Sequence, residues 1–545
     1  MDFQPHWRGR ERFVVFDADW GDGAGFAGLL AAWRADPRRP SHLHVIARAD
    51  GGLPGFQRML QADGAVTLDL LHAPLEPALT QLVARIDSVR LHGIGEAGAG
   101  FARALARLLT RDAVLHASGL TDTQTAALAA TGWAFDSAQS ARYASRKPFA
   151  PVPPRPERRA IVIGAGLAGA AACERLCARG WQVTLVERHP QAAMEASGNL
   201  AGISMPLLSK DDNLASRLSR AAFLFALDYW DKLGGVGAAI EGASCGVLWV
   251  AKDAAHARLQ RATAAARRFP PSFAQWLEAA QAHSRFGPLA PDGAWLFPQG
   301  GWIRPASACQ AMLAACGPRL TQRFGAGTVT LERSGGEWRV IDPNGALIAE
   351  APTVIVANGG GATGLAQAAA LPLAQVRGQV THMAAGALPE LGVVLCREAY
   401  ITPASRGVRS AGASYDEDDD PALRASSQDE NLDKVRSMLG DPMLALDAPL
   451  AGRVGFRSVA PDRLPLVGAL PDPRHAVGTE RLRDLPRQPG LYGLLGYASR
   501  GLTWAPLAAE LLAAGLEGEP LPLEANLAAA LDPGRFQLRG RRRPR

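Results

Sequence analysis

AIVIGAGLAGAAACERLCARGWQVTLVERH, running from Ala160 to His189, reads as a strand, a glycine turn, a helix and a second strand. Ile161, Val162 and Ile163 form the apolar run of a strand buried on both faces. Gly164, Gly166 and Gly169 occupy the G-x-G-x-x-G positions. The first permits the tight turn, the second lets backbone approach a pyrophosphate, and the third brings helix and strand together. Leu167 and Ala168 lie between them, where the helix amino end offers unpaired amides and a favourable dipole to phosphate. The second strand, QVTLVE, ends at Glu187, placed to accept hydrogen bonds from an adenosine ribose, with Arg188 beside it. A glutamate there repels a 2′-phosphate, which excludes NADP. Strand, glycines, helix, strand and terminal acid occur in order, so a dinucleotide site is expected rather than a structural turn.

Two later stretches return to the same nucleotide. TVIVANGGG (Thr353–Gly361) is a strand entering a turn at Ala357, Asn358 and Gly359. LLGYASRGLTWAP (Leu494–Pro506) carries Gly496, Ser499, Arg500, Gly501, Leu502 and Thr503 ahead of the last helix. Two discontinuous returns favour an embedded, non-covalent FAD over a transient nicotinamide.

The 545 residues are 48% hydrophobic and 20% charged, which excludes a disordered or collagen-like chain and leaves room for several units. A net charge of +6 permits a polyanionic partner without requiring one. The closing arginines, Arg539, Arg541, Arg542, Arg543 and Arg545, form a basic tail that is either solvated or in contact with phosphate. The six cysteines have no metal-clamp spacing; Cys173 and Cys177, four apart on a helix, read as buried thiols. MDFQPHWRGR lacks a signal core and no stretch reads as a membrane span, so a cytoplasmic protein is expected.

Pro148–Arg159 (PFAPVPPRPERR) reads as a linker. Upstream, FVVFDA (Phe13–Ala18) is a strand, Phe26–Trp33 helical, His42–Arg48 a strand and Ala73–Arg85 helical. DSVRLHG then reads as a strand, FARALARLLT as a helix and AVLHAS as a strand, the rhythm of an open, mostly parallel sheet. Downstream, helices are expected at Leu214–Leu233 and Phe273–Ala282, and strands in GVLWVAK, WRVIDP, TVIVANG, VVLCREAYITP and RVGFRSV. PLAAELLAAG is the final helix, before an irregular tail. Asp416–Asp420 reads as a solvated loop.

Further motifs are EASGNLAG (Glu195–Gly202), GWIRPA (Gly301–Ala306), VRGQVT (Val376–Thr381), YITPA (Tyr400–Ala404) and GFRSVAPDRLPLVG (Gly455–Gly468). With these, residues 160–510 resemble the D-amino-acid, glycine and sarcosine oxidase superfamily. More closely, the chain resembles the MnmC family, bifunctional enzymes of tRNA wobble-uridine modification. The resemblance implies an α/β fold: an N-terminal Rossmann-like domain of the methyltransferase type over residues 1–147 and a linker over 148–158. An FAD-binding Rossmann domain with an inserted mixed α+β substrate domain then covers 159–530, and a basic tail 531–545. It implies removal of the carboxymethyl group from 5-carboxymethylaminomethyl-uridine or its 2-thio form as glyoxylate, with tRNA as partner, molecular oxygen as electron acceptor and no metal.

An N-substituted glycine needs a cation for its carboxylate, and the resemblance puts Arg457, in G-F-R, in that place; a salt bridge is the bland alternative. Arg500 serves flavin or substrate, or a helix-terminal ion pair. Tyr400 covers the site or is a packed strand tyrosine. The resemblance sets Ser197, Gly198 and Asn199 against the cofactor, and Arg377 and Gln379 near the substrate.

The family's methyl-donor loop reads here Asp17-Ala18-Asp19-Trp20-Gly21-Asp22-Gly23, with Asp19 where a glycine is usual. The acid ending the next strand falls on Ala49, with Asp50 beside it, and the family's L-D-G-F-A-P motif reads Leu91-His92-Gly93-Ile94-Gly95-Glu96. The S-adenosylmethionine site therefore reads as disused and the domain as a scaffold or tRNA-docking surface. The alternatives are a complete bifunctional enzyme, a free glycine or sarcosine oxidase, and a tRNA-binding protein with little catalysis. A monomer is expected.

Overall fold

The computed structural model describes residues 4–95, 97–98, 100–145, 157–440, 451–475 and 480–538. They form two compact units, one of residues 1–156 with 511–529, the other of 157–510 with 530–545.

The first unit is built on an eight-stranded sheet. Its order is Gly55–Gln61, Val66–His72, His42–Arg48, Arg12–Asp17, Ile86–Leu91, Leu109–Ala117, Ser140–Tyr143 and Trp133–Ser137. The five strands from Val66–His72 to Leu109–Ala117 run parallel; Gly55–Gln61 pairs antiparallel on one side, and the antiparallel pair Ser140–Tyr143 and Trp133–Ser137 closes the other. Apolar side chains on the two sheet faces form two cores, one around Phe16, Ile86 and Phe101, the other around Phe13, Trp33 and Leu43. The strands Gly55–Gln61 and Val66–His72 escape the sequence reading. FARALARLLT is helical only over Gly100–Ala106: Leu108 turns back onto the Leu105 carbonyl, and Leu109 enters the sheet opposite Ile86.

The chain leaves the second unit at residue 510 and returns to it at residue 530. Arg12 donates to the Glu517 carbonyl at 3.1 Å and to Glu519 at 3.0 Å. The fully buried Arg58 donates to the Pro520 carbonyl at 2.7 Å. Residues 511–529 thus complete the first unit, and the expected irregular tail holds a helix, Ala525–Leu531. The basic tail is also not free along its whole length. Arg535 is buried and forks onto Asp462 at 2.8 and 2.9 Å, while Arg539–Arg545 lie outside the described residues. Residues 148–156 of the linker and Glu96 lie outside them too.

The second unit contains the nucleotide-type sheet, ordered Leu320–Arg323, Gln182–Val186, Arg159–Ile163, Thr353–Val356, Arg487–Leu495 and Leu466–Pro471. All but the last strand are parallel. Helix Leu167–Cys177 packs on it, with Cys173 and Cys177 buried as expected. A second, eight-stranded sheet carries the long strands Ala374–Ala384 and Ala451–Val459 at one side. The helix expected at Phe273–Ala282 divides: Gln275–Leu277 is a strand opposite Ala294–Leu296, and the helix runs over Ala279–Phe286, capped by Glu278 and Gln281. VVLCREAYITP likewise splits into a hairpin of Val394–Cys396 and Tyr400–Ile401. Asp416–Asp420 is not simply solvated, because Arg377 pairs with Asp416 at 2.9 Å and Arg424 forks onto Asp418 and Asp420.

Candidate active site

A cavity of about 490 Å³ opens in the second unit at the carboxyl ends of its nucleotide-type strands. Gly164 has a φ of +102°, and a Cβ there would sit 2.7 Å from the Asn358 Cα, so the first glycine turn and the returning turn at Ala357–Asn358 lie face to face. A Cβ on Gly169 would fall 1.7 Å from the Gly164 carbonyl oxygen, so helix and strand meet only through glycine. Ser197 Oγ accepts from the Leu167 amide at 3.1 Å. Glu187 ends the second strand buried, one carboxylate oxygen accepting from the Ala165 amide at 2.7 Å and the other from His189 at 3.0 Å. Its remaining lone pairs are available to ribose hydroxyls.

Gly164, Gly166, Leu167, Ala168, Glu187, Arg188, Ser197, Asn199, Ala357, Asn358 and Gly359 all line this cavity, as do Gly496, Ser499, Arg500, Gly501 and Leu502. Three expected residues do not line it. Gly169 is used in helix packing; Gly198 lies under the Arg453 guanidinium, 2.3 Å from where its Cβ would be; Thr503 is buried in the helix. Buried oxygens of Asn358, Ser458 and Tyr497, all on the cavity wall, have no hydrogen-bond partner among the described residues. Each such group costs about 1–3 kcal/mol until a ligand satisfies it. The cradle of glycines, the ribose acid and the orphaned oxygens fit FAD.

The far end of the cavity is cationic. Arg457 stands on Ala451–Val459 opposite Val376, and its guanidinium crosses Gly378, where a Cβ would lie 2.3 Å from Nη1. This explains the glycine between Arg377 and Gln379. Arg457 donates to the Ser414 carbonyl at 3.3 Å and lies 4.4 Å from the centre of the Tyr415 ring, and among the described residues it has no ion-pair partner. Arg500 also lacks one there; it touches the Met205 carbonyl at 3.4 Å, and burial draws its pKa down despite the nearby Cys396 and Tyr415. The helix-terminal ion pair weighed for Arg500 is therefore not formed among those residues. Tyr400 lines the cavity, and burial pushes its phenol up to about 12, with Arg457 pulling the other way.

Arg377 and Gln379 are fully buried and do not reach the cavity. Arg377 holds Asp416, the Asp420 and Ala422 carbonyls and Gln379, so both residues brace the segment that carries Tyr415. Sequence reasoning missed Arg453. It donates to the Met194 and Glu195 carbonyls at 2.6 and 2.7 Å, fixing the loop that presents Ser197 and Asn199. Its spacing from Arg457 along one strand was the available signal.

Side chains of the first unit crowd the glycines of its loop. Arg90 bonds Asp17 at 3.0 Å and presses against Gly25 in the first turn of the helix that follows. Asp19 reaches across to Gly93, its Oδ2 3.0 Å from where a Cβ there would be. Trp20 packs on Phe26 and over Gly23, and His92 Nδ1 bonds Ser118 Oγ at 2.6 Å.

Residues 159–514 match the DAO family model, described as FAD dependent oxidoreductase. The chain is 40% identical to tRNA 5-methylaminomethyl-2-thiouridine biosynthesis bifunctional protein MnmC from Azoarcus sp., over 98% of this chain and 91% of that protein. Identity and both coverages are the same for the MnmC protein of Burkholderia cenocepacia. The chain belongs to the MnmC family. Among solved structures it is similar to iminodiacetate oxidase from Chelativorans sp. (TM-score 0.54, 25% identity, 67% of this chain, 96% of that one). Glycine oxidase from Geobacillus kaustophilus shares the fold (TM-score 0.55, 20% identity, 69% and 98%). This MnmC-family chain is thus an FAD-dependent oxidoreductase acting on a CH–NH group, with FAD held non-covalently. No helix of the described residues is long and apolar enough to cross a membrane, and no group of three or more His, Cys, Asp or Glu among them is placed to hold a metal.

Proposed function

We propose that this chain is the oxidase of tRNA wobble-uridine modification and does not perform the methylation that follows. Its substrate is the 5-carboxymethylaminomethyl group of a uridine or 2-thiouridine; the products are the 5-aminomethyl nucleoside and glyoxylate. The observation that carries this reading is the Arg457 guanidinium, turned into the flavin cavity without an anionic partner among the described residues, in a chain of the MnmC family. Its planar fork holds both oxygens of the arm's carboxylate.

When bound, FAD would supply the two-electron oxidation of the arm's CH–NH bond to C=N, with molecular oxygen as final acceptor. The protein's part is orientation. Arg457 fixes the carboxylate, and Arg500 adds a second positive charge that keeps it ionised. Tyr400, its phenol pushed up to about 12 by burial, keeps its hydroxyl proton and so has one to donate toward the arm. Water adding to the C=N carbon then splits the C–N bond. No residue is needed as a base, because the amine loses its proton before hydride leaves.

The first unit supports the second half of the reading. Arg90 pairs with Asp17 there, and Arg90, Asp19 and Trp20 crowd the glycines around the loop that reads as the methyl-donor loop. We assign this unit a scaffold or tRNA-docking role.

Incubation with tRNA bearing the carboxymethylaminomethyl group and with S-adenosylmethionine, followed by mass spectrometry of the wobble nucleoside, tests both halves. The 5-aminomethyl form should accumulate. Methylaminomethyl product would restore the bifunctional reading, and untouched tRNA with rapid glycine oxidation would make the chain a free amino-acid oxidase.

A further inference from the structure

Tyr415 lies on the wall of the flavin cavity and is 59% exposed, the most exposed large apolar side chain among the described residues. An exposed aromatic ring on a loose loop would mean little. Here the backbone on both sides is tied down. Ser414 is fully buried; its amide donates to the Gln379 carbonyl, and its hydroxyl accepts from the Gln379 amide and donates to Asp416. Asp416 exchanges two backbone hydrogen bonds with Arg377, at 2.9 and 3.1 Å, while its carboxylate pairs with the Arg377 guanidinium. The chain therefore holds one aromatic ring outward between two anchored neighbours. Arg457 covers the ring from one side, 4.4 Å from its centre, and leaves the rest open.

We propose that Tyr415 is the stacking platform for the uracil ring of the wobble nucleotide, a positioning residue that gives the oxidase its preference for a nucleotide-borne arm. The inference rests on the function proposed above. Four bonds, about 5–6 Å when extended, separate the uracil C5 from the carboxylate carbon. A base lying on Tyr415 thus keeps its arm within reach of the Arg457 side chain that grips the carboxylate. Cation–π contact with Arg457 fixes the ring plane before the substrate arrives, so little ordering entropy is lost on binding. A free glycine engages the arginine alone and gains nothing from the ring.

The test uses the full-length FAD-loaded protein and an anticodon stem-loop carrying 5-carboxymethylaminomethyl-uridine. Wild-type turnover of this substrate first checks the underlying function, and its absence overturns both readings. Given turnover, Tyr415→Ala should raise KM about tenfold with a smaller change in kcat. Tyr415→Phe and Tyr415→Trp should restore KM, whereas Tyr415→Leu, apolar but without a π face, should not. An unchanged KM in Tyr415→Ala, or rescue by leucine as good as by phenylalanine, overturns the assignment while leaving the oxidase reading intact. Flavin absorbance of each variant, expected to match wild type, reports that the cavity still forms.

Discussion

Arg457 owes its availability to what surrounds it. Arginines in this chain generally end in carboxylates: Arg377 on Asp416, Arg424 on Asp418 and Asp420, Arg535 on Asp462. Arg457 instead meets a carbonyl and an aromatic ring, leaving donors for an anion. Arg457→Ala should therefore lower kcat/KM about 100-fold or more, in line with losing a charge-assisted bond of about 3 kcal/mol, while the protein still purifies with flavin. Arg457→Lys should recover only part of the rate, since an ammonium cannot make the two parallel bonds. Steady-state oxygen consumption with the flavin content measured alongside decides the matter, and full activity in the alanine variant would remove Arg457 from the site.

The element that makes the cofactor site possible is the strand–turn–helix from Arg159 to Cys177. Its helix can lie against the first strand only because Gly169 brings no side chain. Gly169→Ala would set a methyl group 1.7 Å from a carbonyl oxygen of the turn it packs on, which the backbone has to move to relieve. The expected outcome is loss of bound flavin and a destabilisation of at least about 2–3 kcal/mol, read from flavin release and the urea midpoint. Gly515→Ala is the matched control, since nothing lies within 4 Å of a Cβ there. Elements of this kind were legible in advance because their signal is local: glycine spacing, an apolar run, a terminal acid. The strands Gly55–Gln61 and Gln275–Leu277 were not: each pairs antiparallel with a stretch nearby in the chain, but neither has an apolar pattern of decisive period to announce it.

Across the molecule, one buried and three half-buried histidines give folding a common pH dependence. Burial lowers the pKa of His44, His72 and His116 in the first unit and of His382 in the second. His44 is fully enclosed with Asp69 at 2.8 Å and Arg58 at 3.3 Å. In the unfolded chain these rings take up protons below about pH 6.5, while in the folded units they resist. The unfolded state then binds more protons, so stability is complete above pH 6.5 and declines as pH falls through the lower folded values. Asp69, whose pKa is held below the usual carboxylate range despite its burial because Arg58 and His44 sit against it, adds a loss of the same sign at more acid pH. The melting temperature should drop by a few degrees or more between pH 7.5 and 5.5 at constant ionic strength, about 2–4 °C for each kcal/mol. A melting temperature that stays level over this range would contradict it.

The chain's own order of residues was enough to specify a flavin-type nucleotide site and the three stretches that line it, because each depends on a local pattern tied to one chemistry. It could not specify that residues 511–529 complete the first unit, that Arg377 braces while Arg457 remains uncommitted, or that Tyr415 is held outward beside it. Those facts depend on which carboxylate, carbonyl or ring arrives next to a given guanidinium. Such neighbours are brought together by sheet pairing over hundreds of residues, and composition and spacing carry no record of them.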